Sequence, residues 1–285
     1  MKEKTASLFQ LHSAILLFGL AGLFGKLLSV SPFVIVLGRA AFAALTLGIL
    51  LGLSGQSLRV RWRRDFPVFI GLAGLLALHW TTFFHAIQVS TVAVGLLTYA
   101  TFPAFITVME PCFFREKLSP IDALATGLVM LGIVLIVPSF DLLSSITRGA
   151  LWGSLSGFSF AVLSLLNRKY VQRHSSFLIT FYQNGFAALL LLPFLRGETQ
   201  YPHARDILLL LILGIFCTAL AHGLFVKALK HLRAQTASIA ASMEPVYGII
   251  LALLLLGEVP KTRTVLGGAV ILGTALMISI RRKAG

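Results

Sequence analysis

The chain has 285 residues, 57% of them hydrophobic and only 12% charged, with a mean hydropathy of +0.91. Soluble domains carry about twice that charged fraction, so the composition excludes a soluble enzyme or disulfide-stapled module and points to a polytopic protein of the lipid bilayer. The net charge of +14 reads as positive charge flanking membrane helices, so no nucleic-acid partner is expected.

A bilayer crossing takes roughly 20 apolar residues. Ten runs qualify, in chain order at about 10–30, 33–53, 66–87, 90–113, 120–138, 149–168, 177–195, 206–229, 234–256 and 264–280. No small-residue cleavage site follows the first run, which is read as the first span and not a signal peptide. Cys112 and Cys217 both lie in apolar runs and read as free core thiols. The connections are short, and none is long enough for a soluble domain.

Positive charge sets the orientation. With a cytoplasmic N-terminus, seventeen Lys and Arg fall in inside segments and six in outside ones, leaving Arg39 within the second span. This split puts both termini inside, as an even number of spans requires, in a plasma (inner) membrane.

The chain also repeats itself. Ala86, Pro103 and Glu116 return as Ala228, Pro245 and Glu258, each 142 residues on, and Gly132 returns as Gly273. The expected fold is therefore all-α, ten transmembrane helices in two five-helix repeats at 1–144 and 145–285. Five is odd, so the repeats enter the membrane from opposite sides. Such inverted repeats support alternating access. Pro103 and Pro245, each 13 residues before its glutamate, are expected helix breaks and gating points.

This pattern resembles the EamA-type members of the drug/metabolite transporter superfamily. It is carried by Pro103 with Arg115-Glu116-Lys117, by Pro245 with Leu256-Gly257-Glu258, and by the Gly-rich helices that follow (Gly127 and Gly132; Gly267, Gly268 and Gly273). The resemblance covers nearly the whole chain and implies efflux of small metabolites, amino acids including aromatic ones among them. Met109-Glu110-Pro111 duplicates Met243-Glu244-Pro245 in the wrong register, so Glu110 is not the symmetry mate of Glu244.

Ionisable groups at membrane depth are functional candidates by default. Glu244 lies near the middle of helix 9, directly before Pro245, where its carboxylate suits a proton or a substrate amine. Glu110 is nearer the cytoplasmic end of helix 4, within reach of the interface. His79 and His222 occupy near-matching repeat positions, and Trp80 adjoins His79. Thr98, Tyr99 and Phe102 offer a half-polar, half-aromatic wall on helix 4. Trp152 and Ser156 share a face of helix 6, whose other face, Gly153 and Gly157, suits close packing. Tyr182, Gln183 and Asn184 form a polar cluster in helix 7, and Gln235 and Ser242 add hydroxyl and amide groups on helix 9. Arg39 and Lys26 have stems long enough to snorkel to the outer interface, where Arg39 also suits an anionic group on exit. Glu116 and Glu258, at helix ends beside basic residues, read as structural.

With no nucleotide-binding loop, ATP is not the direct energy source. No catalytic set, cofactor or metal motif is present, which leaves an intramembrane enzyme or a channel as remote alternatives. The leading reading is a secondary exporter of a small-molecule substrate, an amino acid or similar metabolite, proton-coupled or facilitative. Drugs and nucleotide or sugar derivatives are the competing substrates. A monomer is the simplest assembly.

Overall fold

The computed structural model describes residues 2–114, 120–137 and 141–283, which form ten helical spans and no strand. Helix 1 is Lys2–Leu27, helix 2 Pro32–Leu53, helix 3 Trp62–Val89, helix 5 Pro120–Ile136, helix 6 Ser145–Tyr170, helix 7 Ser176–Leu191 and helix 10 Thr262–Lys283. Three spans are interrupted. Helix 4 consists of Val92–Tyr99 and Phe102–Phe114, helix 9 of Ala234–Ala241 and Glu244–Leu256, and helix 8 holds the π segment Ile215–Leu220 between Ala204–Gly214 and Ala221–Ala228. Among the described residues, seven helices are long and apolar enough to cross a membrane.

Short polar residues set the starts. The Ser31, Thr91 and Ser175 hydroxyls accept from the backbone N–H groups of Val34, Val94 and Leu178, satisfying donors that a helix N-terminus leaves free. Pro32 follows Ser31 at the first helical position, where a missing N–H costs nothing. Helix 9 stops at Gly257, which takes φ 65°, a conformation open to glycine.

The packing partners come in matched sets. Helix 1 lies on helices 8 and 9, and helix 6, its repeat equivalent, lies on helices 3 and 4. Helix 2 packs on helix 7 and helix 5 on helix 10, each against its own equivalent, while helix 3 on helix 7 mirrors helix 2 on helix 8. This is a two-repeat membrane fold with pseudo-two-fold symmetry. The main hydrophobic core runs along the shared interface through Ile15, Ile35, Phe84, Phe102, Leu163 and Phe225.

Candidate substrate-binding site

The two proline-bearing spans break at the same point of the repeat. Ala100 and Thr101 interrupt helix 4, and Ser242 and Met243 interrupt helix 9, 142 residues later. In each the second piece begins one residue before the proline, at Phe102 and at Glu244. The proline has no N–H to give the carbonyl four residues back, Tyr99 O or Ala241 O, so the ladder lapses there, and hydroxyls add to the backbone bonds of the preceding turn. Thr101 Oγ1 donates to Thr98 O at 2.7 Å, and Ser242 Oγ donates to Ser238 O at 3.2 Å. Glu244 is thereby fixed, buried, at the start of a half-helix.

Helix 8 carries the third irregularity. Within its π segment Thr218 Oγ1 donates to Leu213 O at 2.7 Å, five residues back. The same hydroxyl accepts from Arg39 Nε at 2.9 Å, and Cys217 O accepts from Arg39 Nη2 at 3.2 Å. Gly214 makes this reach possible, because a Cβ there would lie 2.6 Å from Phe42 Cβ and 3.0 Å from Arg39 O. Helices 2 and 8 therefore run nearly backbone to backbone.

Arg39 thus differs from the snorkelling side chain expected of its sequence. It is 2% exposed, turned inward, with its guanidinium carbon 3.9 Å above the Trp80 ring. A cation over an indole face gains roughly 2 kcal/mol when desolvated. The expectation fails because the carbonyl, the hydroxyl and the indole together replace the water the guanidinium gives up. Lys26 does reach its helix end, donating to Ser90 O at 2.8 Å. Glu110 does not reach the interface: it is 2% exposed and ion-paired with Arg168 at 2.5 Å. Of the two cysteines, both free, Cys217 is buried and Cys112 is exposed.

The spans enclose a central cavity. Phe18 and Ala21 come from helix 1, Arg39 from helix 2, Leu76, His79, Trp80 and Phe83 from helix 3, Tyr99 from helix 4, Phe160 from helix 6, His222 from helix 8 and Glu244 from helix 9. The free space is about 20 Å³, room for about one water molecule. The conformation is closed around its centre.

His79 is held from behind. Ser156 Oγ donates to His79 O at 3.0 Å and lies 2.8 Å from His79 Nδ1. The hydroxyl proton being used, its oxygen accepts from Nδ1–H, which assigns the tautomer and leaves Nε2 with its lone pair. Tyr99, whose ring stacks on His79 at 5.3 Å, is the hydrogen-bond partner of the Glu244 carboxyl. Glu244 Oε2 and both ring nitrogens of His222 have no hydrogen-bond partner among the described residues. Arg39 and Glu244 line the same cavity, yet no ion pair joins them. A buried polar atom left unsatisfied costs about 1–3 kcal/mol, and more when charged.

The cavity brings together five of the expected residues, His79, Trp80, Tyr99, His222 and Glu244, and adds Arg39. At the 142-residue offset His222 falls on Trp80, not His79; the two rings meet edge to face at 5.7 Å. Ser156, Thr98, Phe102 and Ser242 sit behind the lining. Phe102 stacks on Tyr99 at 5.0 Å, and Thr98 donates to Val94 O at 2.7 Å beside Gly153. Pro103 and Pro245 lie at the two breaks. Three others lie elsewhere. Trp152 is 39% exposed, edge-on to His85. Tyr182 donates to Leu58 O at 2.6 Å and stacks on Phe69. Asn184 is buried, donating to Thr180 O at 2.8 Å. The Gln235 side chain and Glu116 lie outside the described residues. Glu258 accepts from Val92 N at 2.8 Å, tying the end of helix 9 to the start of helix 4. The apolar lining residues Phe18, Leu76, Phe83 and Phe160 carry no sequence signal that separates them from the rest of the core.

The chain can be set beside known proteins. It is 25% identical over 99% of its length, and 92% of the other's, to the uncharacterized transporter YxxF of Bacillus subtilis. It is 26% identical to the pseudopaline exporter CntI of Pseudomonas aeruginosa, over 87% of this chain and 86% of that one. With the S-adenosylmethionine uptake transporter of Rickettsia conorii it shares 23% over 73% and 70%. A crystal structure matches its fold with a TM-score of 0.72 at 21% identity, covering 99% of both chains. The EamA-like transporter family matches twice, over residues 6–137 and again over 147–280, once for each five-helix repeat. The chain is thus a multi-pass membrane protein and belongs to the EamA-like transporter family, within the drug/metabolite transporter superfamily.

Proposed function

We propose that the chain is a secondary exporter of amino acids, or of closely similar zwitterionic metabolites, with aromatic and other apolar side chains favoured. One observation carries the reading: Arg39 and Glu244 line a single buried cavity without pairing with each other. The guanidinium has hydrogen-bond partners but no counter-charge within ion-pair distance, and Glu244 Oε2 has no hydrogen-bond partner, so each favours a complementary group on a solute. A solute carboxylate satisfies the guanidinium, and its ammonium satisfies Glu244 Oε2, so one zwitterion answers both. Trp80, Phe83, Tyr99 and Phe160 around them suit an apolar or aromatic side chain.

The space is too small for an amino acid, so binding requires the repeats to move apart on one side. The matched packing of the two halves, taken as 1–144 and 145–285, supports alternation between inward-open and outward-open states. Among relatives, one is named for export and one for uptake, and export here rests on the family resemblance of the repeat motifs. The positive-charge split supports an inner-membrane location with both termini cytoplasmic. Membership of a transporter family, with relatives named as transporters, argues against an enzyme.

The test is flux in proteoliposomes loaded with labelled amino acids, with and without an imposed pH gradient. Saturable flux of aromatic or aliphatic amino acids is expected, and competition by their carboxyl-masked amides is expected to be at least tenfold weaker. Flux that follows the pH gradient makes Glu244 and the histidines His79 and His222 the candidate proton sites; indifference to it makes the protein a facilitator. Absence of amino-acid flux, with transport of a cationic drug or a nucleotide sugar, overturns the reading.

A further inference from the structure

The start of helix 3 and the end of helix 6 form a second concavity, remote from the central cavity. It is lined by Arg61, Arg64, Asp65, Val68, Lys169, Tyr170, Arg173 and His174. Its carboxylate is already engaged. Asp65 Oδ2 accepts from Arg61 N at 2.9 Å, capping helix 3, and Oδ1 lies 3.5 Å from His174 Nε2. Arg61, Arg64, Lys169 and Arg173 form no ion pair among the described residues. A neighbouring hollow shares Lys169, Tyr170 and Arg173 and adds Phe114, Arg168 and Gln172.

The repeat supplies an internal comparison. The same corner recurs at the opposite face, at the start of helix 8. There Asp206 Oδ2 accepts from His203 N at 3.1 Å, as Asp65 does from Arg61 N, and the carboxylate also accepts from Ser29 Oγ at 3.2 Å. Ser31 hydrogen-bonds Glu198 beside it. That corner is knit by neutral hydroxyls and by carboxylates. The fold therefore does not require four cations there. Positive-inside placement asks only for Lys and Arg in inside loops; it does not ask that four face one hollow. Tyr170 and Val68 give the hollow an apolar side at the level where helices leave the bilayer, as an interfacial aromatic does.

We propose that this cleft is a binding site for the phosphate of an anionic phospholipid of the cytoplasmic leaflet. Unpaired guanidinium and ammonium groups in a pocket at helix ends supply charge-assisted donors to phosphate oxygens, and the apolar side takes the start of the acyl region. The bound headgroup ties the start of helix 3 to the end of helix 6, two elements of opposite repeats.

The proposal is tested by native mass spectrometry of the purified full chain, with phosphatidylglycerol or phosphatidylcholine added to the micelles. Retention of phosphatidylglycerol over phosphatidylcholine by at least fivefold is expected. The double variant Arg64→Gln/Arg173→Gln should lose that preference, while Lys26→Gln, at the other face, should keep it. Arg61→Gln/Lys169→Gln reads the same site from its other wall if the first pair inserts poorly. Equal retention of both lipids, or unchanged preference in both double variants, overturns the site. Displacement of the lipid by millimolar inorganic phosphate, with equal thermal stabilisation by phosphate alone, assigns the cleft to a soluble anion and overturns the lipid. The readout is lipid retention, so it stands or falls independently of which solute is transported.

Discussion

Helix 4 and helix 9 have the same backbone and different chemistry. Their pieces match residue for residue at the repeat offset: Val92–Tyr99 with Ala234–Ala241, and Phe102–Phe114 with Glu244–Leu256. Each span meets a glycine of the opposite repeat, at the break in helix 4 and just past the break in helix 9. A Cβ on Gly157 would lie 2.7 Å from Tyr99 O, and one on Gly19 would lie 3.2 Å from Glu244 O and 2.8 Å from Tyr247 Cβ. Yet the residue that opens the second piece is a buried phenylalanine in one copy and a buried carboxylate in the other. Under the proposed function, the duplicated part is the scaffold that moves, and the single-copy part is the group that binds. An internally symmetric transporter needs two alike halves to exchange conformations, but an asymmetric solute needs a site with one polarity.

The comparison is broken most severely by making the copies alike. Glu244→Phe gives helix 9 the residue of helix 4. The backbone break should persist, because Pro245 still lacks the N–H that would continue the ladder. Solute affinity should fall by about 30-fold or more, the loss expected from about 2–5 kcal/mol for one partner of a buried charge pair. Binding by titration calorimetry, beside a thermal-unfolding check of folding, distinguishes this from misfolding; unchanged affinity removes Glu244 from the site. Arg39→Gln comes next. It keeps hydrogen bonding towards Thr218 and Cys217 O but removes the charge, so an amino acid should lose about tenfold in affinity while its carboxyl amide is little affected. Equal losses for both ligands would assign Arg39 a purely structural role.

Gly157→Val and Gly19→Val sharpen the symmetric side of the comparison. Each forces a side chain against the facing broken span, at about 1–3 kcal/mol for overpacking. The two should lower the unfolding midpoint in detergent by similar amounts. A large drop for one alone would show that the two seats are not energetically equivalent. The smallest effect belongs to Glu258→Ala, which removes the acceptor from Val92 N and should cost about 1 kcal/mol, as lost helix caps do. Stability unchanged within error would mean that water replaces that cap.

Much of this fold was legible before any coordinates. Ten spans follow from apolar run lengths, because a bilayer-crossing helix satisfies its own backbone and needs only length and hydropathy to be recognised. The repeat of Pro103 and Pro245 located both helix breaks, because a missing N–H acts locally whatever packs around it. Glu244 and His79 were legible as lone ionisable groups in apolar surroundings. Trp152 and Tyr182 look the same in sequence as Trp80 and Tyr99, yet they lie outside the cavity, because their place depends on how each helix is rotated.

By itself, the sequence determined the number of spans, the repeat and the breaks. All of these depend on neighbours within a few turns of one helix. Tertiary structure alone decided that Arg39 turns inward, since its partners Thr218 and Cys217 O lie about 180 residues away on a π segment without a sequence mark. It also decided that Glu110 is sealed by Arg168 while Glu244 is left open to the cavity. Both outcomes depend on which groups of other helices come within hydrogen-bonding distance. Helix crossing and rotation set that proximity, and hydropathy carries no record of either.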